Sequence, residues 1–293
     1  MAVYSIKDLE KLSGVKAHTL RIWEKRYGII QPKRTETNIR YYLDDDLKHI
    51  LNITFLNRKG MKISKIASLG KEDIAHKVAE YTEVDAEFEN QLDGLTLSLL
   101  ELNEYQFDKI IETNIKQKGF KDTMLEVIYP LLDKLSTMWM TGSINTSHER
   151  FVSNIIRRKT ISAIDRLEIT RDKSAKKFLI YLPEDENHEL SLLFLHFLIK
   201  EKNFGVINLG LNIGLLELQD AYAISNPNYL FTIINDSFSE KPLQPYINSL
   251  EKEFNNSTIL LTGIQLITQK IKTNKNGLIL SSLSEVIQYL NEL

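Results

Sequence analysis

The sequence predicts a multidomain chain of α and α/β class. A winged helix-turn-helix opens it, a helical bundle follows, and a doubly wound parallel sheet closes it. Three observations carry that prediction. In the first 71 residues, two short helical patterns meet across Gly14 and a pair of extended arms follows. Apolar residues then recur at i, i+3 and i+4 in four segments up to about residue 170. From Lys177 the period changes, and five short apolar runs alternate with five helical stretches.

The first helix is signalled by Ser5, an N-cap with Asp8 three residues on, ahead of Ile6, Leu9 and Leu12; Gly14 ends it. A second starts after Val15 and runs through Leu20 and Trp23 to Gly28, completing a helix-turn-helix layout. Residues 29–32 and 39–42 read as extended arms around the polar tip 33–38, a β-hairpin or wing. Asp44 is placed to cap a third helix through Leu47, Ile50, Leu51 and Phe55 to near Gly60, and a short fourth carries Ile63 and Ile66. The winged domain therefore spans 1–71, and the polar, charged residues 72–84 read as a linker.

Residues 85–171 read as a four-helix bundle, with Pro130 inside the third apolar pattern, where it should kink or divide the helix. The last domain, 176–293, has strand-like runs at 177–182, 204–209, 229–234, 258–262 and 277–280. Helical stretches lie at 188–201, 214–224, 240–254, 264–272 and 282–292. Such alternation predicts a parallel sheet covered on both faces, with any ligand at the carboxyl ends of the strands.

Composition narrows the function. The 293 residues include no cysteine, which excludes disulfides, a thiolate nucleophile and Cys-ligated zinc or iron–sulfur. The apolar runs Phe178–Leu182 and Leu190–Ile199 fall short of the roughly 20 residues that cross a bilayer. The amino end lacks an apolar signal core, so the expected location is the cytoplasm. Net charge is −2, but residues 1–71 hold 15 Lys+Arg against 7 Asp+Glu (+8), and the remainder 22 against 32 (−10). A basic segment on an acidic body suits a polyanion-binding domain attached to something else. The residues form no Ser/His/Asp set, metal carboxylate cluster or Gly-rich phosphate loop, so the expected protein is not an enzyme.

The stretch Thr19-Leu20-Arg21-Ile22-Trp23-Glu24-Lys25-Arg26-Tyr27-Gly28 resembles the MerR family of winged-helix transcription regulators. So do Pro32-x-Arg34-Thr35, Asn38-x-Arg40-Tyr41-Tyr42 and Asp46-Leu47. The Arg-x-Trp-Glu-x-Arg-Tyr-Gly segment is particularly close to the subgroup that carries a cobalamin-binding module. The resemblance implies double-stranded promoter DNA as partner. Lys16, His18, Thr19 and Arg21 lie near the end of the second helix that enters the major groove in this motif. Lys25, Arg26 and Tyr27 are better placed for phosphates, and Arg34, Arg40 and Tyr41 lie on the wing, where the arginines would hold the flanking backbone or enter the minor groove.

Residues 176–293 resemble the flavodoxin-like cobalamin-binding fold of methyltransferases and of light-sensing regulators of the CarH/LitR type, on the segment Leu182-Pro183-Glu184-Asp185-Glu186-Asn187-His188-Glu189-Leu190-Ser191. The resemblance implies adenosyl- or methylcobalamin as cofactor, with His188 as lower ligand to cobalt and Glu186 hydrogen-bonded to the other imidazole nitrogen. Trp139 and Glu149, with nine residues between them and Gly142 and Ile144 in the loop, are similar to the cap over the cofactor's upper face in that type. Ser191, Thr262 and Gly263 fall at the tail-binding positions.

The departures bear on affinity. Ser191 and Thr262 stand where the family has glycine, Ile233 where it has serine, Arg150 where the cap has histidine, and Gly214 where it has proline. Two readings of the last domain stay open: a pocket that takes a corrinoid in a modified pose, or a scaffold that kept the fold and serves oligomerisation. A corrinoid-carrying subunit for methyl transfer is the alternative of another class; the sheet and His188 suit it, the winged helix does not. Two-fold operators require paired modules, so a homo-oligomer, dimer or tetramer, is expected.

Overall fold

The computed structural model describes residues 3–34, 40–82, 88–140, 144–170, 172, 174–236 and 243–293. The wing-tip residues Thr35, Asn38 and Ile39 and the loop residue Gly142 lie outside these. The chain folds as two compact units, Met1–Ile155 and Ile156–Leu293.

In the first unit, α1 (Ile6–Ser13) is capped as its sequence requires: Ser5 Oγ accepts from the Asp8 amide at 3.3 Å, and Asp8 accepts from the Ser5 amide at 2.7 Å. Gly14 ends α1 and Gly28 ends α2 (Ala17–Tyr27), both in the left-handed region that only glycine enters cheaply. Among the described residues, the short strands β1 (Val3–Tyr4), β2 (Lys33–Arg34) and β3 (Arg40–Leu43) pair antiparallel in the order β1-β3-β2. The wing is therefore built differently from expectation. Its first arm is Lys33–Arg34, within the stretch read as the tip, because Ile29 and Ile30 are buried in the core. The strand at Val3 has too few residues to show a period.

Helix α3 (Asp44–Arg58) corrects a second expectation. Leu43 occupies the N-cap, and the capping carboxylate is that of Asp46, which accepts from the Leu43 amide at 2.9 Å. A short α4 (Ile63–Ile66) follows. Most of the stretch read as a linker is helix α5 (Lys71–Thr82); buried Ile74 and Val78, four residues apart, anchor it, a single apolar stripe outweighed by the surrounding charge.

The bundle comprises α6 (Phe88–Leu100), α7 (Glu104–Thr123), α8 (Tyr129–Met140) and α9 (Thr146–Arg166), the last running into the second unit. Gly119, at φ 84°, breaks α7 internally. Pro130 is accommodated within α8. A π-helical turn at Met124–Ile128 immediately precedes that helix, the Tyr129 amide donating to the Met124 carbonyl; such turns absorb a local mismatch in the ladder.

In the second unit the strands are β4 (Lys177–Tyr181), β5 (Gly205–Asn208), β6 (Tyr229–Ile233), β7 (Thr258–Thr262) and β8 (Gly277–Leu280), all parallel, in the order β5-β4-β6-β7-β8. The chain reverses its direction of growth between β4 and β6, the switch point where such sheets open a crevice. Helices α11 (Leu215–Ser225), α12 (Leu243–Glu253) and the short α13 (Ile264–Thr268) cover one face. Leu218, Leu243, Ile247, Leu250 and Leu266 meet Leu179, Tyr181, Leu230, Ile259 and Leu261 there. Helices α10 (Glu189–Glu201) and α14 (Leu283–Glu292) pack together on the other, where Tyr229 stacks on Phe178 and meets Tyr289 edge-on. Helix α13 is shorter than its apolar pattern suggested, stopping before Lys270, which takes positive φ.

Candidate nucleic-acid interface and cofactor site

On α2, Leu20 and Trp23 face the core, and His18, Arg21, Ile22, Lys25 and Arg26 form the outer face. Three cationic side chains and a histidine thus share one face of a helix that packs by its opposite side. Lys16 precedes the helix and pairs with Glu10 at 3.2 Å, while Thr19 is half-buried with its hydroxyl 3.3 Å from His18 Nε2. The Arg26 guanidinium lies over the Tyr27 ring. Glu24, the sole acid of α2, is drawn toward the wing by Arg40 at 3.4 Å. Arg34 lies exposed on β2; Tyr41 is half-buried and its neighbour Tyr42 fully buried, burial pushing the Tyr42 hydroxyl's pKa up.

The second cluster forms at the switch point of the sheet. His188 is the N-cap residue of α10, in the loop that leaves β4. Its Nδ1 donates to Glu186 Oε1 and lies 3.5 Å from Asp236 Oδ2, on the loop that leaves β6. Glu186 is 2% exposed. Its other oxygen accepts from the amides of Asn235 at 2.6 Å and Asp236 at 2.9 Å, so a buried carboxylate is fully satisfied. Burial pushes the Glu186 pKa up, but the bonds from His188, Asp236 and Asn235 outweigh it and the net shift is downward. The Glu186 hydrogen bond holds His188 above its ordinary value, against burial, and the charges of Glu186 and Asp236 add to it. With Nδ1 engaged and the side chain 45% exposed, Nε2 is the nitrogen left to a ligand.

The remaining positions divide by role. The Ser191 amide donates to the His188 carbonyl at 3.0 Å, holding the first turn of α10. The Thr262 hydroxyl is spent inside the sheet, donating to the Leu280 carbonyl at 2.7 Å. Gly263 has φ 126°, and a Cβ there would collide with the Ile234 carbonyl, so its glycine is required by the fold. Ile233 is buried. In the first unit, Trp139 is 46% exposed near the end of α8, and Glu149 and Arg150 are exposed in the first turns of α9. That helix is capped by Asn145, whose side chain accepts from the amides of Ser147 and His148. Asp236 is the residue that sequence reasoning passed over. Its signal was an acid just past the end of the strand neighbouring the one that carries the histidine loop.

The sequence matches the model of the MerR HTH family regulatory protein over residues 4–72 and that of the B12 binding domain over residues 91–161. A basic winged helix-turn-helix followed by such a bundle and a parallel sheet defines the class: the chain is a MerR-type DNA-binding regulator with a B12-binding domain. Within that class it is similar to the HTH-type transcriptional repressor CarH of Myxococcus xanthus, 23% identical over 78% of this chain and 77% of the relative. The repressor CarA of the same organism is 24% identical over 76% and 73%. The HTH-type transcriptional regulator MlrA of Escherichia coli is 35% identical, over 24% of this chain and 28% of its own. Among solved structures, the monomethylamine corrinoid protein of Methanosarcina barkeri superposes with a TM-score of 0.55 at 11% identity, over 71% of this chain and all of its own, and shares the fold. Among the described residues no helix is long and apolar enough to cross a membrane.

Proposed function

We propose that the chain is a non-enzymatic, homo-oligomeric regulator in the cytoplasm, with promoter DNA bound by residues 1–71 and cobalamin by the sheet domain (176–293). Lys16, His18, Thr19 and Arg21 would read the operator; Lys25, Arg26, Tyr27, Arg34, Arg40 and Tyr41 would hold its backbone. The observation that carries the cofactor reading is the Glu186–His188 pair at the switch point. A buried carboxylate fixes the tautomer and leaves Nε2 to a ligand, the donor arrangement a base-off corrinoid needs. Bound cobalamin would supply a cobalt that an imidazole can ligate. His188 would be that ligand and Glu186 its orienting partner, and Ser191, Thr262 and Gly263 would line the nucleotide tail; for Trp139 and Glu149 the family resemblance alone suggests the part of a cap.

The affinity is expected to be reduced, because Ser191 carries a side chain where close backbone approach calls for glycine. The test is an absorption titration of wild type, His188→Ala and Ser191→Gly with adenosylcobalamin. The expected outcome is a base-off, histidine-ligated spectrum in wild type, its loss in His188→Ala, and tighter binding in Ser191→Gly. No spectral change in any of the three would leave a regulator that works without cobalamin. A gel shift on promoter DNA tests the DNA reading separately. Retention by the full chain is expected to weaken steeply with salt, by about one unit of log–log slope per phosphate contact; failure to bind would favour the corrinoid-carrier alternative.

A further inference from the structure

We propose that Ile22 is a specificity-determining residue that reads the 5-methyl group of a thymine in the major groove; this rests on the assignment of α2 as the recognition helix. Ile22 is 51% exposed in the middle of α2. At about 100° per residue it lies within the arc spanned by His18, Arg21, Lys25 and Arg26, with a polar or cationic neighbour on either side. It does not serve the core, since Leu20 and Trp23 anchor the helix from the opposite side. Nor does it serve the helix, because a β-branched side chain is a weaker helix former than Ala or Leu.

The surrounding chemistry favours a base edge over a phosphate. An aliphatic side chain offers nothing to a phosphate oxygen, whereas the thymine methyl is the one apolar feature that the major groove presents. Cations on both sides of Ile22 would bring that helix face to the groove by their attraction to the backbone. The one acid of α2, Glu24, is held by Arg40 at 3.4 Å and does not interrupt this face. Arg21 and Ile22 then divide the reading: the guanidinium takes a guanine edge, and the sec-butyl group takes a thymine.

The experiment selects a duplex from a random library with the full wild-type chain. It then measures binding to that duplex with each thymine replaced in turn by uracil, which removes only the methyl. Wild type should lose about fourfold in affinity at one thymine per half-site, the worth of one buried methyl-sized group. Ile22→Ala should bind the parent duplex more weakly and be indifferent to that replacement, while Ile22→Val should keep the penalty. Circular dichroism should show both variants folded, since the side chain faces solvent. Wild type indifferent to uracil at every position, or Ile22→Ala showing the same penalty as wild type, overturns the proposal. A wild-type chain that enriches no duplex at all overturns the recognition-helix assignment itself.

Discussion

At the residue scale, the chemistry concentrates on His188. Its pKa stands above the ordinary 6.5, chiefly through the bond to Glu186. A group whose folded value is raised stabilises the fold fully below its unfolded pKa, and loses that contribution as pH rises through the folded value. Glu186 works in the opposite sense: its lowered pKa stabilises above the unfolded carboxylate value and is lost as pH falls through the folded one. Glu186→Gln is therefore expected to return the imidazole titration, followed by NMR, toward its ordinary value. Asp236→Asn should move it in the same direction by less, because Asp236 contributes charge at 3.5 Å without the hydrogen bond. An unmoved titration in Glu186→Gln would show that the pair is not formed in solution. On α2, Arg21→Ala should cost roughly 1–3 kcal/mol of discrimination between operator and random DNA. Arg34→Ala should weaken both alike, as a backbone contact does. Competition binding with the two duplexes checks this, and equal losses for Arg21→Ala would remove it from base reading.

At the scale of elements, the feature that periodicity could not show is how α3 meets the bundle. Asp93 of α6 is 8% exposed and accepts from two cations: Arg58 Nη1 at 2.8 Å and Lys134 Nζ at 3.1 Å. Arg58 also donates to the Ser13 carbonyl at 3.0 Å, at the turn of the helix-turn-helix. The helix that bears Trp139 thus reaches that turn through Lys134, Asp93 and Arg58. A buried acid with its cations removed, or the reverse, costs roughly 3–5 kcal/mol. Arg58 keeps about a third of its side chain in water, so Asp93→Ala is expected to cost about 2–3 kcal/mol. Denaturant unfolding measures it, and a loss under about 0.5 kcal/mol would show that solvent screens the network. The linker reading of 72–84 failed for a related reason. Ile74 and Val78 make a helix worth forming only because neighbouring helices cover them, and local composition does not carry that information.

At the scale of the whole molecule, charge is segregated: +8 in the first 71 residues and −10 in the rest. Such asymmetry suits attraction of the basic end to DNA and repulsion of the acidic body from it. Residues 85–293 alone are accordingly expected to give no gel shift on promoter DNA, and a shift would place DNA contacts outside the winged domain. Light scattering should find at least a dimer, with or without DNA, because one recognition helix reads only a short half-site; a monomer under both conditions would contradict the oligomer.

The order of the parts is legible in the chain alone: the capped α1, the glycine-terminated α2, four bundle segments, and five strands alternating with helices. Each follows from local propensity or short-range periodicity, and each survives in the fold. The resemblance to the cobalamin-binding motif singled out Glu186 and His188, and the structure pairs them: two residues apart on one loop, they meet without long-range help. What tertiary structure alone decided lies across distance in the chain. Asn235 and Asp236 close on Glu186 because β6 lies beside β4 in the sheet. Thr262 and Gly263 are committed to β8 and to the Ile234 carbonyl by the same parallel pairing, which gives both a structural reason that no motif displays. Asp93 finds Arg58 and Lys134 only once α3, α6 and α8 pack. Local rules fix which elements form. Which side chains face one another is settled by burial, where a carboxylate leaves water only when partners from other segments satisfy it.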